Sequence, residues 1–342
     1  MRFGIFSVVD HYPHELKRST RQFYDELLEQ VELADELGFD SFWIAEHHFH
    51  EYGAIPRPPI WMAAAAQRTK RIRLGSAVVV LPFDHPLRVA EDYAMVDIMT
   101  NGRLLLGVGS GYLAHEFAGF NVPPAEKRER FDESLDIILR AWTGDRFSFR
   151  GKHYTVDDVA LNVVPIQKPH PPVHIAVLRN DAAQFVGKKK QSLMMIPYAT
   201  TESIDELHGV VRNFRSAFVE SGAKEEDARA VFGLHTYASE SVEQARFECK
   251  EAMDLYVRTR LYAKQRPFEE LIDQDLMAVG DEAEIIRVAR RYEQQGFTDF
   301  LAITNFGGLQ HDRVINSMER IARFVMPAFS KKETGEALSP QF

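Results

Sequence analysis

A single cysteine, Cys249, in 342 residues leaves nothing to form an intrachain disulfide. That fits a reducing, cytoplasmic compartment. The residue lies in the charged helical run Arg246-Phe247-Glu248-Cys249-Lys250-Glu251, which suits packing rather than a catalytic thiol. No run of about 18 apolar residues is present, so no segment is expected to span a membrane. Positive charge is also short. The 41 Lys and Arg stand against 50 Asp and Glu, a net of −9. This excludes general nucleic-acid binding, which needs a basic surface to neutralise phosphates. Met1–Val9 lacks the layout of a signal peptide and reads as a first strand. Repeats of solenoid period are absent.

What is present is a chain 45% hydrophobic, enough for a large core. Short apolar runs alternate with longer amphipathic ones. The strand candidates are Phe3–Val9, Ser41–Ala45, Ile72–Leu81, Leu104–Val108, Val173–Val177, Leu193–Ile196, Val231–Ala238 and Phe300–Thr304. Helical periodicity covers Thr20–Leu37, stopped by Gly38, and then Pro86–Met99, Lys127–Trp142, Ser203–Glu220, Ser241–Tyr262, Glu282–Gln295 and Arg313–Phe329. Eight strands alternating with helices, with no break in composition, predict one (β/α)₈ TIM barrel over residues 1–329; the rival is an open doubly wound sheet. Two insertions are expected. Residues 147–172 read as a hairpin and a proline-stiffened entry to the fifth strand. Gln265–Ala278 reads as a long loop, either a lid or a surface excursion. Residues 330–342 form a polar tail.

The densest chemistry follows the second strand. Glu46-His47-His48-Phe49-His50-Glu51 places three histidines and two glutamates where a buried strand opens into a loop. Strand ends are rigid, and the loops after them carry function. If strand geometry persists past Ala45, just one of His47 and His48 faces the barrel axis. A histidine there shuttles protons near neutral pH, and Glu46 would orient a ring or a ligand. His50 reads as structural. A metal site is the competitor: His48-x-His50 has ligand spacing, and His174 and His235 lie in other strands. However, Ile303-Thr304-Asn305-Phe306 ends the eighth strand without a carboxylate, so no metal is expected.

Three further stretches are candidates. Gly107-Val108-Gly109-Ser110-Gly111-Tyr112 is a glycine-rich turn after a buried strand, suited to an anion or a flat cofactor and equally to a tight structural turn. Position 112 is Tyr, so the turn is not a dinucleotide fingerprint. Small residues at Ser76-Ala77 permit close approach to backbone, or simply pack a strand. In Val177-Leu178-Arg179-Asn180-Asp181, Asn180 or Asp181 would cap a helix and Arg179 would suit a phosphate; a solvated arginine beside an ordinary cap is the alternative.

In this order the pieces resemble the bacterial luciferase-like monooxygenases. The resemblance rests on Arg2-Phe3-Gly4-Ile5-Phe6, Gly38-Phe39-Asp40, Glu46 to Gly53, Leu81-Pro82, His85-Pro86-Leu87-Arg88, Ala90-Glu91-Asp92, Gly102-Arg103 and Gly107-x-Gly109. It continues through Val164 to Pro172, Val279-Gly280 and Phe324-Val325-Met326-Pro327. It implies a TIM barrel that binds reduced FMN (FMNH₂) at its C-terminal mouth. A separate flavin reductase would supply the flavin, and O₂ would react there through a C4a-(hydro)peroxide to oxygenate a small organic substrate. It further implies catalytic roles for His47 and His48 and flavin packing on Ala77-Val78, often through a non-prolyl cis peptide. At such a mouth Phe6, Phe49 and Tyr112 are expected to line an apolar pocket, with Phe6 and Phe49 reading equally as ordinary core. Flavin and phosphate contacts would come from Gly109-Ser110-Gly111-Tyr112, a mobile lid from about 261–278, and a homodimer through Pro58–Arg68 and Pro86–Met99.

Two departures stand out. Bacterial luciferase carries an arginine for phosphate where this chain has Ser110, and its Glu-Ser element is replaced by Leu178-Arg179-Asn180-Asp181. Arg179, with Asn180 beside it, is the expected substitute. These departures keep two other readings open: an F420-dependent oxidoreductase of the same fold, and a non-catalytic flavin-binding paralogue.

Overall fold

The computed structural model describes residues 1–50, 53–260 and 265–330. Glu51 and Tyr52 of the histidine segment, the first part of the expected lid and nearly all of the polar tail fall outside these. The strands are β1 (Arg2–Ser7), β2 (Ser41–Ile44), β3 (Arg73–Ser76), β4 (Val79–Val80), β5 (Leu104–Gly109), β6 (Phe147–Arg150), β7 (Thr155–Val159), β8 (Val173–Ala176), β9 (Ser192–Met195), β10 (Ala230–Ala238), β11 (Ala278–Gly280) and β12 (Asp299–Asn305). Eight parallel strands close into a barrel in the order β1-β2-β3-β5-β8-β9-β10-β12 and back to β1. Closure removes both sheet edges and decides against the open doubly wound sheet.

Local sequence explains most boundaries. Ser19 caps the helix Thr20–Leu37 by accepting the Gln22 N–H, and Gly38, at φ +83°, ends it. Pro86 opens the helix Pro86–Met99 at a position needing no N–H. The expected helix Arg313–Phe329 is shorter: α-helical geometry holds over His311–Arg320 and loosens into a π turn and a 3₁₀ turn. Pro327 cannot donate the next helical hydrogen bond.

The expected third strand, Ile72–Leu81, is in fact two. Ser76 turns its hydroxyl onto β5, donating to the Gly107 carbonyl at 3.0 Å and accepting the Gly107 N–H at 3.1 Å. The Ala77-Val78 peptide is cis, and pairing resumes where Val79 meets Val108. Residues 147–159 form the expected antiparallel hairpin. The expected long loop is not structureless: it holds a helix, Phe268–Asp273, with Phe268, Leu271 and Ile272 buried, and runs into β11, which pairs with β10 beside the barrel.

The barrel core fixes which end is the mouth. Trp43 lies across Gly75 so closely that a Cβ there would overlap its ring, and a Cβ on Gly107 would overlap the Ser76 carbonyl. Arg2 and Arg229 pair with Asp299 at the N-terminal ends of β1, β10 and β12, at 2.6 and 3.3 Å. The opposite, C-terminal end carries the cavity.

Candidate active site

A cavity of about 370 Å³ opens at the C-terminal ends of the strands. Its walls come from the segments after β1, β2, β3, β5, β8, β9 and β10, so the closed barrel itself assembles it. Among the expected site residues, Glu46, His47, Ala77, Val78, Gly109, Ser110, Gly111, Tyr112 and Arg179 all reach its wall. His48 and Asn180 do not.

The two histidines point to different sides, although β2 ends at Ile44 and Ala45, Glu46 and His47 all reach the cavity. His47 lines the cavity. His48 turns away, its ring 4.7 Å from that of Phe120, and its Nε2 lies 3.3 Å from Glu46 Oε1. The same Glu46 oxygen accepts the Val80 N–H at 3.3 Å, tying the end of β2 to β4. Burial raises the Glu46 pKa, and hydrogen bonding to His48 and Val80 opposes the rise. Phe49, expected in the pocket, is 64% exposed at φ +57° and packs on Phe120; Phe6 and Tyr112 do line the cavity.

Glu116 was not foreseen. It sits on a six-residue helix, Ala114–Gly119, just past the glycine turn, and is buried. Its Oε1 lies 3.1 Å from His47 Nδ1 and accepts the His48 backbone N–H at 2.9 Å. An oxygen already accepting one N–H places the His47 proton on Nδ1 and leaves Nε2 as the basic nitrogen. Burial lowers the His47 pKa, Glu116 opposes this, and Arg260 and His48 add to the lowering. Burial therefore favours the neutral ring. Nothing local signals this partnership, because 69 residues separate His47 from Glu116.

The glycine turn packs closely on the Ala77–Val80 edge. A Cβ at Gly109 would come within 2.6 Å of Val78 Cγ2, and one at Gly111 within 2.9 Å of Val80 Cγ1, so glycine lets the two segments approach. Lys127 and Arg128 also stand on the wall, at the start of the helix Lys127–Ala141. Lys127 Nζ donates to the Gly111 carbonyl at 3.3 Å, and Arg128 lies 3.5 Å from the Phe185 ring centroid. Arg179 is on the rim with its side chain 80% exposed, in a two-bonded pair with Asp181 at 3.1 and 2.7 Å. That pairing draws Asp181 away from capping, and Asn180 makes no cap bond either. Sequence reading missed Lys127 and Arg128 because a basic helix start reads as an ordinary solvated turn.

The histidines weighed for a metal are scattered. His174 is packed edge-on to Trp43 at 5.0 Å, and His235 lies against Tyr256 at 4.2 Å and Phe306 at 5.2 Å. Among the described residues, no three His, Cys, Asp or Glu side chains gather as a metal would need. Among these residues also, no helix is long and apolar enough to cross a membrane.

A family model described as luciferase-like monooxygenase matches residues 1–299. The chain belongs to the luciferase-like monooxygenase family. It is similar to the oxygenase component of the flavin-dependent trigonelline monooxygenase of Acinetobacter baylyi, 27% identical over 97% of each chain. It is 37% identical over 187 residues to protein y4wF of Sinorhizobium fredii, a match spanning 55% of this chain and about half, 54%, of that one. The crystal structure of monooxygenase RslO1 from Streptomyces bottropensis superposes with a TM-score of 0.90 at 28% identity, covering 96% of this chain and 100% of that one. F420-dependent dehydrogenases are also among the relatives, so family membership leaves the choice of cofactor open.

Proposed function

We propose that this protein is the oxygenase of a two-component flavin monooxygenase, taking reduced FMN from a separate reductase and using O₂ to oxygenate a small organic molecule. The observation that carries the reading is the buried His47, held by Glu116 on the wall of a cavity that also holds the glycine turn and a cationic rim. The name of the Acinetobacter relative, an oxygenase component, supports a partner reductase.

The residues present fit a flavin. The Ala77-Val78 and Gly109-Ser110-Gly111 segments on the cavity wall suit a flat ring, and Lys127, Arg128 and Arg179 suit a phosphate. Reduced flavin would supply the electrons that activate O₂. This chain's contribution is positional. The apolar walls, including Phe6, Met195 and Ile196, exclude water from the reacting centre. Glu116 fixes the His47 tautomer, and Nε2 takes or returns a proton. Glu46 holds the β2 loop through His48 and Val80. We further propose that two copies pair through Pro58–Arg68 and Pro86–Met99. These helices leave Ile60, Met95, Ile98 and Met99 exposed, an apolar patch of the kind that marks an interface.

The test mixes anaerobic protein carrying reduced FMN with oxygenated buffer in a stopped flow. The expected result is a long-lived absorbing species distinct from both reduced and oxidised flavin. Immediate reoxidation, or no binding of reduced FMN, overturns the reading. Reduction of F420 by an alcohol or sugar without oxygen uptake would favour the dehydrogenase alternative.

A further inference from the structure

Sulfur stands on the cavity wall. Of the ten methionines in the chain, Met194 and Met195 are the two that line the cavity, and both are buried. Register tells them apart. Met194 pairs with Ala176 of β8 and Val231 of β10, and parallel partners share a face of the sheet. Ala176 is itself on the cavity wall. Two residues past Val231, a Cβ on Gly233 would meet Ile196 and Phe6, which are on the wall as well. Met194 therefore faces the barrel axis. Met195 pairs with Phe232, whose ring stacks at 4.2 Å on Tyr292 of the outer helix Glu282–Gln294. It faces the helical shell and reaches the cavity as the last residue of β9. In the ring of strands β9 stands opposite β2, so Met194 lies across the mouth from the segment that carries His47.

A thioether is soft and polarisable, and peroxides oxidise it to the sulfoxide. Reduced flavin supplies the oxidant when no organic molecule takes the oxygen: it gives two electrons and two protons to O₂, which becomes hydrogen peroxide. The Met194 sulfur then attacks one peroxide oxygen. The O–O bond breaks, an S–O bond forms and sulfur loses two electrons. The departing hydroxide takes the remaining peroxide proton and leaves as water. Proximity to the place where peroxide arises substitutes here for exposure to solvent. The competing sulfur groups are elsewhere. Cys249 is buried away from the cavity, and burial pushes its thiol up to about 12, so no thiolate forms near neutral pH. Met95 and Met99 are 53% and 42% exposed on the helix Pro86–Met99, where dissolved peroxide would reach them first.

Resting on the oxygenase reading, we propose that Met194 is a site of self-oxidation, converted to its sulfoxide by hydrogen peroxide when the protein turns over reduced FMN without an organic substrate. The sulfoxide puts a polar S–O group into an apolar wall and so destabilises the fold, and sulfoxide reductases can reverse it. The test cycles the full chain with FMN in the dark. NADH and a general flavin reductase supply the reduced flavin, and catalase removes peroxide that escapes into solution. Peptide mass mapping reads the sulfoxide at each methionine. Met194 should carry severalfold more than Met95 and Met99. Hydrogen peroxide added to flavin-free protein should reverse that order. Cycling should lower the urea midpoint of the wild type and leave that of Met194→Leu, a swap that keeps side-chain volume, where it was. Met95, Met99 or Met195 oxidised ahead of Met194 overturns the proposal. So does Met194 leading in the flavin-free control, or an equal fall in the midpoint of Met194→Leu. Binding of reduced FMN is measured first. Its absence strikes the oxygenase reading and the proposal with it, whereas binding with Met194 spared strikes the proposal alone.

Discussion

Glu116 Oε1 and His47 Nδ1 stand 3.1 Å apart, and the same oxygen holds the backbone N–H of His48 at 2.9 Å. One buried carboxylate therefore sets both the tautomer of the cavity histidine and the direction of the chain that carries it. This is the arrangement in which a base is oriented by a third group.

Substitution separates the two roles. His47→Ala should leave oxygen consumption running while product per oxygen falls about 100-fold, the lower range for a lost proton-transfer group. Glu116→Gln should cost roughly tenfold and move the acid limb of flavin reoxidation. Burial holds His47 below its ordinary value, and Glu116 pushes it up against that. Without Glu116 the limb moves to lower pH. A limb moving upward, or full coupling in His47→Ala, would count against the assignment.

Arg179 is tested by comparing FMN with riboflavin, which lacks the phosphate. Arg179→Ala should weaken FMN by roughly tenfold, as for a charge-assisted contact, and riboflavin by less than twofold. To serve a phosphate, Arg179 must exchange its bond to Asp181 for the ligand. Asp181→Ala should accordingly tighten FMN. Equal losses for FMN and riboflavin in fluorescence titrations would remove Arg179 from the phosphate site and leave Lys127 and Arg128 to be examined in the same way.

Acid should destabilise the fold before the carboxylates titrate. Burial lowers the pKa of both His174 and His235 to about 3. The unfolded chain binds these protons near 6.5, whereas the folded chain refuses them until about pH 3. Stability is therefore full above 6.5 and falls as pH drops from 6.5 toward 3, by about 1.4 kcal/mol per unit for each histidine. Urea midpoints measured between pH 7.5 and 5 check this. His174→Phe or His235→Phe should flatten the slope, and an unchanged slope would contradict it.

Gly75 tests the core contact that holds β2 and β3 together. Gly75→Ala drives a methyl into the Trp43 ring and should cost about 1–3 kcal/mol. Gly38→Ala meets no atom within 4 Å but strains a φ of +83°, for roughly 1 kcal/mol. If Gly75→Ala proves the milder of the two by urea unfolding, Trp43 is not packed as described.

What the sequence alone determined is what short-range chemistry encodes. Alternating apolar runs set the strands, Ser19 and Gly38 bounded a helix, and the abrupt change from Ile44 to Glu46 marked a strand end where titratable groups collect. The Glu46-His47-His48-Phe49 segment and the run from Leu81-Pro82 through His85-Pro86 to Ala90-Glu91-Asp92 carried the family in their order along the chain. Tertiary structure decided the rest. Barrel closure turned His47 inward and His48 onto Phe120, brought Glu116 to a ring 69 residues away, and split the third strand where Ser76 reached across to Gly107. It also brought Asp10, just after the first strand, within 3.7 Å of Arg260. Hydrophobic periodicity is read within a few residues, so it names the face that a strand buries. Which side chains meet across the mouth depends on strand order and register, and these exist only once the ring has closed.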